Sequence, residues 1–347
     1  MNNSGIKILV TGGMGYIGSH TVVQLIARGY RVVIADNLCN SNRSILGRIA
    51  QIAGQEPQFY EIDLCDKQAL NEVFTKEEDI KAVVHFAALK AVGESVQHPL
   101  KYYRNNLISL LNLLEVQEFF DANNLVFSSS CTVYGEPDAL PVTEKSPVKP
   151  ATSPYGNTKQ VGEEIIKEQC TASNLRSIVL RYFNPVGAHE SALIGELPIG
   201  TPNNLVPYIT QTAIGKQPFL RVFGNDYPTP DGTCIRDYIH VDDVASAHIA
   251  ALERLLNPSS EAEGFEVFNI GTGRGNTVLE AIRAFEEASN QKLPYHVAPR
   301  RAGDIEKVFA DTSLSNSVLH WKAEKDLHTM MASAWEWEKK LKINPLV

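Results

Sequence analysis

Tyr155 and Lys159, in the segment Ser153-Pro154-Tyr155-Gly156-Asn157-Thr158-Lys159, stand four residues apart. On a helix that spacing puts a phenol and an ammonium group on one face, within reach of one site. A phenol titrates near 10, and each unit of depression is worth about 1.4 kcal/mol, so a tyrosine base at neutral pH needs a few kcal/mol from a nearby cation. Lys159 and a positively charged nicotinamide ring are the expected sources. A second group of hydroxyls, Ser128-Ser129-Ser130 in Phe127 to Gly135, follows an apolar run and offers Ser130 to a carbonyl or alcohol oxygen.

A nicotinamide is expected because of a third segment, Val10-Thr11-Gly12-Gly13-Met14-Gly15-Tyr16-Ile17-Gly18. It reads as G-x-G-x-x-G from Gly13 or G-x-x-G-x-x-G from Gly12, with Gly15 and Gly18 common to both. It follows one predicted strand and opens a helix, so its glycines permit a tight turn and close approach of a pyrophosphate to the helix N-terminus. Asp36 ends the next strand, 18 residues beyond Gly18. A carboxylate there accepts hydrogen bonds from ribose hydroxyls and repels a 2′-phosphate, which favours NAD over NADP. Asp63, after a third strand, is either an adenine contact or a helix cap.

These groups need a frame. Ile6–Thr11, Val32–Asp36, Gln58–Ile62, Ala82–Phe86, Leu125–Ser130 and Ser177–Arg181 read as strands, separated by helical stretches near 15–30, 42–53, 66–76, 99–120 and 155–172. Strict alternation predicts an α/β fold, a doubly wound Rossmann-type parallel sheet that binds ligands at the strands' carboxyl ends. The proline-rich 136–154 and the irregular 184–204 are longer than ordinary connections and read as functional loops. A helix at Val241–Leu256 and a strand at Phe265–Ile270 return to the sheet. The expected division is residues 1–183 plus about 234–271 for the dinucleotide, and about 184–233 plus 272–347 as a smaller α+β C-terminal substrate-binding domain.

Composition limits the partners. The 347 residues carry 32 Lys and Arg against 40 Asp and Glu, a net charge of −8, with 44% hydrophobic residues and mean hydropathy −0.15. An acidic chain is poorly suited to nucleic acid or an anionic membrane, so anionic ligands must be met by a few placed cations. No apolar run approaches the roughly 18 residues of a membrane span, and Met1–Gly12 is too short in apolar length for a signal peptide. A cytoplasmic protein is expected. The five cysteines (39, 65, 131, 170, 234) are scattered without a C-x-x-C, so neither a disulfide framework nor a metal site is indicated.

Nearly the whole chain carries a further pattern. The glycine loop, His85 to Ser95, the Ser130 segment, Tyr155 to Lys159, Arg181-Tyr182-Phe183-Asn184-Pro185, Pro202-Asn203-Asn204-Leu205, Arg236-Asp237-Tyr238-Ile239-His240-Val241 and Ala298 to Asp304 follow in order. Together they resemble the UDP-hexose 4-epimerases, extended members of the short-chain dehydrogenase/reductase family. The resemblance implies reversible interconversion of UDP-glucose and UDP-galactose through NAD-mediated oxidation at C4, rotation of a 4-keto sugar and re-reduction. It implies that Tyr155 is the base, Lys159 its electrostatic partner and ribose ligand, and Ser130 the hydroxyl that shares the hydrogen bond. It implies NAD contacts from Gly12, Gly15, Tyr16, Ile17, Asp36, Asn37, Asn40, Asp63, Leu64, Phe86, Lys90, Asn105 and Tyr182, besides those three. Nucleotide-sugar contacts are implied for Lys90, Asn184, Asn204, Leu205, Phe223, Arg236, Tyr238, Arg301 and Asp304, with Arg236 and Arg301 matched to diphosphate oxygens.

Val308 departs from relatives that carry a large aromatic residue at the sugar pocket, which makes UDP-N-acetylglucosamine and UDP-N-acetylgalactosamine further candidate substrates. Cys131 replaces a common alanine. Asn157 and Thr158 vary the wording between tyrosine and lysine but keep the spacing. Two rivals stay open: a nucleotide-sugar 4,6-dehydratase, whose acid pair after the loop serine is replaced here by Cys131-Thr132, and a non-catalytic NAD-binding regulator, which commonly lacks the tyrosine or lysine. His85 and His240 read as core or capping residues. Leu107, Leu110, Leu111, Leu114, Val161, Ile165 and Ile166 serve either the core or, as in the family, a homodimer built through a four-helix bundle.

Overall fold

The computed structural model describes residue 3 and residues 5–257, 262–301 and 304–346. The first half alternates as β1 (Lys7–Thr11), α1 (Tyr16–Ala27), β2 (Arg31–Asp36), α2 (Ile45–Ala53), β3 (Gln58–Glu61), α3 (Lys67–Lys76), β4 (Ile80–His85), α4 (Val92–Gln97), α5 (Pro99–Phe119), β5 (Asn124–Ser130), α6 (Pro154–Ala172) and β6 (Arg176–Tyr182). The second half is more broken: β7 (Asn184–Val186), α7 (Leu205–Ala213), β8 (Leu220–Phe223), β9 (Ile235–Arg236), β10 (Tyr238–His240), α8 (Val241–Leu256), β11 (Phe265–Ile270), β12 (Asn276–Thr277), α9 (Val278–Ser289), β13 (Tyr295–Ala298), β14 (Lys307–Val308), α10 (Ser313–Val318) and α11 (Leu327–Ile343).

Seven strands form one parallel sheet in the order β11-β6-β5-β4-β1-β2-β3. Its central strands are apolar on both faces because helices cover both; Ile8, Leu9 and Val10 are fully buried. On one face Val22 and Leu25 of α1 and Val244 and Leu252 of α8 share a core with Ile8 and Val10. On the other, Leu70 of α3, Leu113 of α5 and Ile166 of α6 pack with Leu9 and Val83. The strand order reverses between β1 and β4, and a crevice opens beyond their carboxyl ends, where parallel sheets hold their ligands. A separate core of Val206, Ile209, Phe285, Met331 and Trp335 sits under α7, α9 and α11.

The seven expected strands all form, with ends moved by one or two residues, and α8 spans the expected 241–256. The short strands β7 to β10 and β12 to β14 escape sequence reading, since two to four residues carry no usable alternation. They knit the second core. β9 pairs with β12 on one edge and β14 on the other, and β10 pairs with β7. Between β9 and β10 lies Asp237, fully buried, whose carboxylate accepts from the Thr272, Gly273 and Ala310 amides and the Thr272 hydroxyl at 2.6–3.1 Å.

The apolar residues of α5 and α6 divide. Leu110, Leu114 and Ile166 are buried against the sheet, Leu107, Val161 and Ile165 are partly covered, and Leu111 is exposed. Among the described residues no helix is long and apolar enough to cross a membrane.

Candidate active site

The glycine loop joins β1 to α1. Gly12 has φ +69°, and a Cβ there would lie 2.8 Å from the Ala87 amide nitrogen. A Cβ on Gly18 would lie 2.2 Å from the Gly12 carbonyl oxygen. Gly15 is the residue that caps α1 without a side-chain bond, and a Cβ there would meet only the Gly12 oxygen, at 3.2 Å. The loop therefore presents free helix-end N–H groups across space that a side chain would fill, a cradle suited to a pyrophosphate. It borders a cleft of about 590 Å³, a size appropriate to a large ligand.

Asp36 has two tasks. It lines this cleft, and it staples the loop: one carboxylate oxygen accepts from the Met14 amide at 3.0 Å, the other from the Leu38 amide and the Ser41 hydroxyl, both at 2.9 Å. Burial pushes its carboxyl up, and those three bonds oppose the rise. With about four acceptor sites on a carboxylate, one stays available to a ligand. Asp63 is exposed, receives the Asn37 side-chain amide at 3.3 Å and the Cys65 amide at 2.8 Å, and leaves the capping of α3 to Asp66. Tyr16, Ile17, Asn40, Leu64, Phe86, Lys90, Asn105 and Tyr182 also line the cleft.

The head of α6 delivers the phenol and the ammonium group. Ser153 caps the helix by accepting from the Gly156 amide at 3.1 Å, and Pro154 occupies the first turn, where its missing N–H costs nothing. Tyr155 and Lys159 follow, 7% and 5% exposed, both lining the cleft. The Lys159 ammonium donates to the Ser128 carbonyl at 2.7 Å and lies 4.8 Å from the Phe127 ring centre. Ser130 ends β5 and accepts from the Thr132 amide at 3.2 Å. It is near enough to Tyr155 to act on the phenol, yet lies off the cleft wall. The expected depression of the phenol is not supplied by the protein: burial holds Tyr155 well above its usual 10, and Ser130 only opposes this. Burial also brings Lys159 down to about 8.

The remaining implied contacts gather around β9 rather than on the cleft wall. Arg236 approaches Asp304 at 4.0 Å, Asp304 pairs with Arg301 at 2.8 Å, and the Arg301 guanidinium lies 5.5 Å from the Phe223 ring centre. Val308 is the register partner of Arg236, and Asn184 that of Tyr238. Val308 is buried with Val133, Tyr134, Val142 and Phe183. Leu205 opens α7, next to Asn204 at the cleft. Ala302 and Gly303 lie outside the described residues. Arg236 and Tyr155 both lie within electrostatic range of the Cys131 thiol, so this cluster is near the phenol.

A model of the NAD dependent epimerase/dehydratase family matches residues 8–271. The UDP-glucose 4-epimerase of Bacillus subtilis (strain 168) is 52% identical over 334 residues, 96% of this chain and 97% of its own. The chain belongs to the NAD dependent epimerase/dehydratase family. Two solved members are close in shape. The UDP-glucose 4-epimerase from Stenotrophomonas maltophila, with bound NAD and formylated UDP-arabinopyranose, has TM-score 0.94 and 48% identity, covering 97% of this chain and 99% of that one. That from Bifidobacterium longum, in complex with NAD+ and UDP, has TM-score 0.92 and 45% identity, covering 98% and 99%.

Within this epimerase/dehydratase scaffold two residues escape sequence reading. Glu196, on the loop before α7, takes the Asn204 side-chain amide at 2.7 Å and pairs with Lys90 at 3.6 Å, spanning the cleft. Asn106 accepts from the Leu89 amide at 2.8 Å and donates to Thr158 at 3.0 Å, which ties the loop after β4 to α6. Neither lies in a spacing pattern that signals its partner. The two histidines are structural, as expected. His240 caps α8 by accepting from the Asp242 amide at 3.1 Å. His85 is 2% exposed, bonds Thr11 at 2.8 Å, and burial lowers it from its usual 6.5 to about 3.

A histidine held neutral in the fold takes up a proton only on unfolding, so its contribution is present above 6.5 and is lost as pH falls from there toward 3. His85→Gln removes that dependence. Between about pH 7.5 and about 5.5 the wild type should lose about 1.4 kcal/mol that the variant keeps. Urea titrations at the two pH values should therefore show the stability gap between the proteins narrowing in acid. A pH-independent gap would show that His85 takes up a proton in the fold as readily as in the unfolded chain.

Proposed function

We propose that the chain is an NAD-dependent isomerase that interconverts UDP-glucose and UDP-galactose. The carrying observation is Tyr155 and Lys159 one helical turn apart at the head of α6, both on the wall of the glycine-loop cleft. Residues 1–183 and about 234–271 hold the dinucleotide in this reading; about 184–233 and 272–347 hold the nucleotide sugar.

When bound, NAD+ supplies an acceptor and donor of hydride at C4 of the sugar. Tyr155 takes the 4-hydroxyl proton and later returns it, and Ser130 steadies the same oxygen. Lys159 binds the ribose and sets a positive charge beside the phenol, working against the burial that raises it. Inversion requires the ketone to show its other face, so the nucleotide end must be gripped and the hexose left free to turn. Arg236 and Arg301 provide the grip, since guanidinium forks match diphosphate oxygens. Asp304 holds Arg301 in place until the diphosphate arrives.

Purified protein given UDP-galactose and no added cofactor should form UDP-glucose. A 4-keto-6-deoxy product would identify a dehydratase, and inertness even with NAD supplied would identify a regulator. Tyr155→Phe should slow turnover by orders of magnitude while NAD stays bound; near-normal turnover would remove Tyr155 from the chemistry.

Val308, smaller than an aromatic residue beside Arg236, supports acceptance of the 2-acetamido sugars UDP-N-acetylglucosamine and UDP-N-acetylgalactosamine. Both should be epimerised, and Val308→Tyr should suppress them more than UDP-galactose. No turnover of acetamido sugars by the wild type would refute this.

We also propose a homodimer through α5 and α6. The outer side of α5 exposes Leu100 at 79%, Leu111 at 44% and Phe119 at 78%, apolar area that a second copy would cover. Sedimentation should give twice the 38.3 kDa chain mass, and Leu111→Glu with Phe119→Glu should give the single mass. A wild type that sediments as one chain would exclude this interface.

A further inference from the structure

Beneath the phenol and the ammonium group lies a buried ion pair that the mechanism has not used. Glu163 is on α6, one turn beyond Lys159 and two beyond Tyr155, and Arg181 is on β6 next to Tyr182; each is 6% exposed. The Arg181 fork holds both carboxylate oxygens at 2.5–3.2 Å. The Ser129 hydroxyl donates to the same carboxylate at 2.5 Å. Arg181 also donates to the Tyr134 hydroxyl at 3.0 Å, which passes its own proton to Asn269 at 2.7 Å. Ser129 lies between Ser128, whose carbonyl receives Lys159, and Ser130, which neighbours the Tyr155 phenol.

Desolvating both members of such a pair is costly, and an apolar pair often serves stability as well, so the carboxylate's effect on its neighbours matters. Lys159 is the neighbour. Burial favours its uncharged amine, and Glu163 is the charge that resists. The other titratable groups nearby are His85 on β4, held neutral by burial and within electrostatic range of the lysine, and the phenols of Tyr155 and Tyr182, which line the same cleft. Arg181 uses Nε and Nη2 on Glu163 and Nη1 on the Tyr134 hydroxyl.

We propose that Glu163, clamped by Arg181 and Ser129, is a positioning residue of the reaction: it keeps the Lys159 ammonium charged from one turn below and fixes the strand end that carries Ser128 and Ser130. This rests on the role given to Lys159 above.

The test follows the Lys159 side-chain nitrogen by NMR in lysine-labelled, NAD-loaded protein, assigned with Lys159→Arg, alongside the pH profile of kcat. In Glu163→Gln the lysine should titrate about one pH unit lower or more, and the alkaline limb of kcat should move with it. That variant strands a buried guanidinium and is at risk of not folding, so Glu163→Gln with Arg181→Gln, which removes both charges, is measured beside it and should show the same shift. Glu163→Asp, which keeps the charge, should restore the wild-type titration. Folded variants in which Lys159 titrates as in the wild type would overturn the proposal. A shifted lysine in a chain whose wild type epimerises nothing would leave the positioning intact and remove the functional reading instead.

Discussion

Putting a phenol and an ammonium group side by side away from water is the constraint on which the rest of the structure depends. Each loses hydration, and each is driven toward its neutral form: Tyr155 upward, Lys159 down to about 8. A surface pair would avoid this cost but could not hold a reacting hydroxyl in one geometry. The protein answers with fixed partners. Ser130 neighbours the phenol, the Ser128 carbonyl receives the lysine, and both come from the last residues of one strand facing one helix. Because β5 is clamped between β4 and β6, the partners cannot drift relative to the helix head.

The same sheet sets the distance between the chemistry and the dinucleotide cradle. Gly12 follows β1, Asp36 ends β2, and the loop after β4 passes close over Gly12, so the cradle forms on the side where strand order reverses. Asp36 links the two levels by holding the Met14 amide with one oxygen and the turn at Leu38 with the other. A ligand touching this carboxylate thus touches the loop's own brace.

Much of this was legible in the chain because it is local. Helix cap, proline, tyrosine and lysine fall within seven residues, and the glycines within another seven, so spacing alone fixes their mutual placement. The β-α alternation was equally readable, since its apolar runs are long enough to show a period. What periodicity could not supply is the cluster around β9: Phe223, Arg236, Arg301 and Asp304 come from separate segments, joined by two-residue pairings, and only the family resemblance named them. Glu196 and Asn106 had no signal because their partners are distant in sequence. The lowering of the phenol expected from Lys159 together with a bound nicotinamide is opposed within the protein by burial, the largest influence on Tyr155, which a count of neighbouring cations does not include.

Arg236 occupies a strand of only two residues, yet that strand is bonded along both edges and followed at once by the buried Asp237. Such backbone has almost no freedom to yield. In the proposed reaction a sugar that must swing through half a revolution needs an axle that stays still, and the proposal puts the diphosphate anchor on this segment, paired along both edges. Mobility of the hexose and immobility of this arginine are two sides of one mechanical requirement.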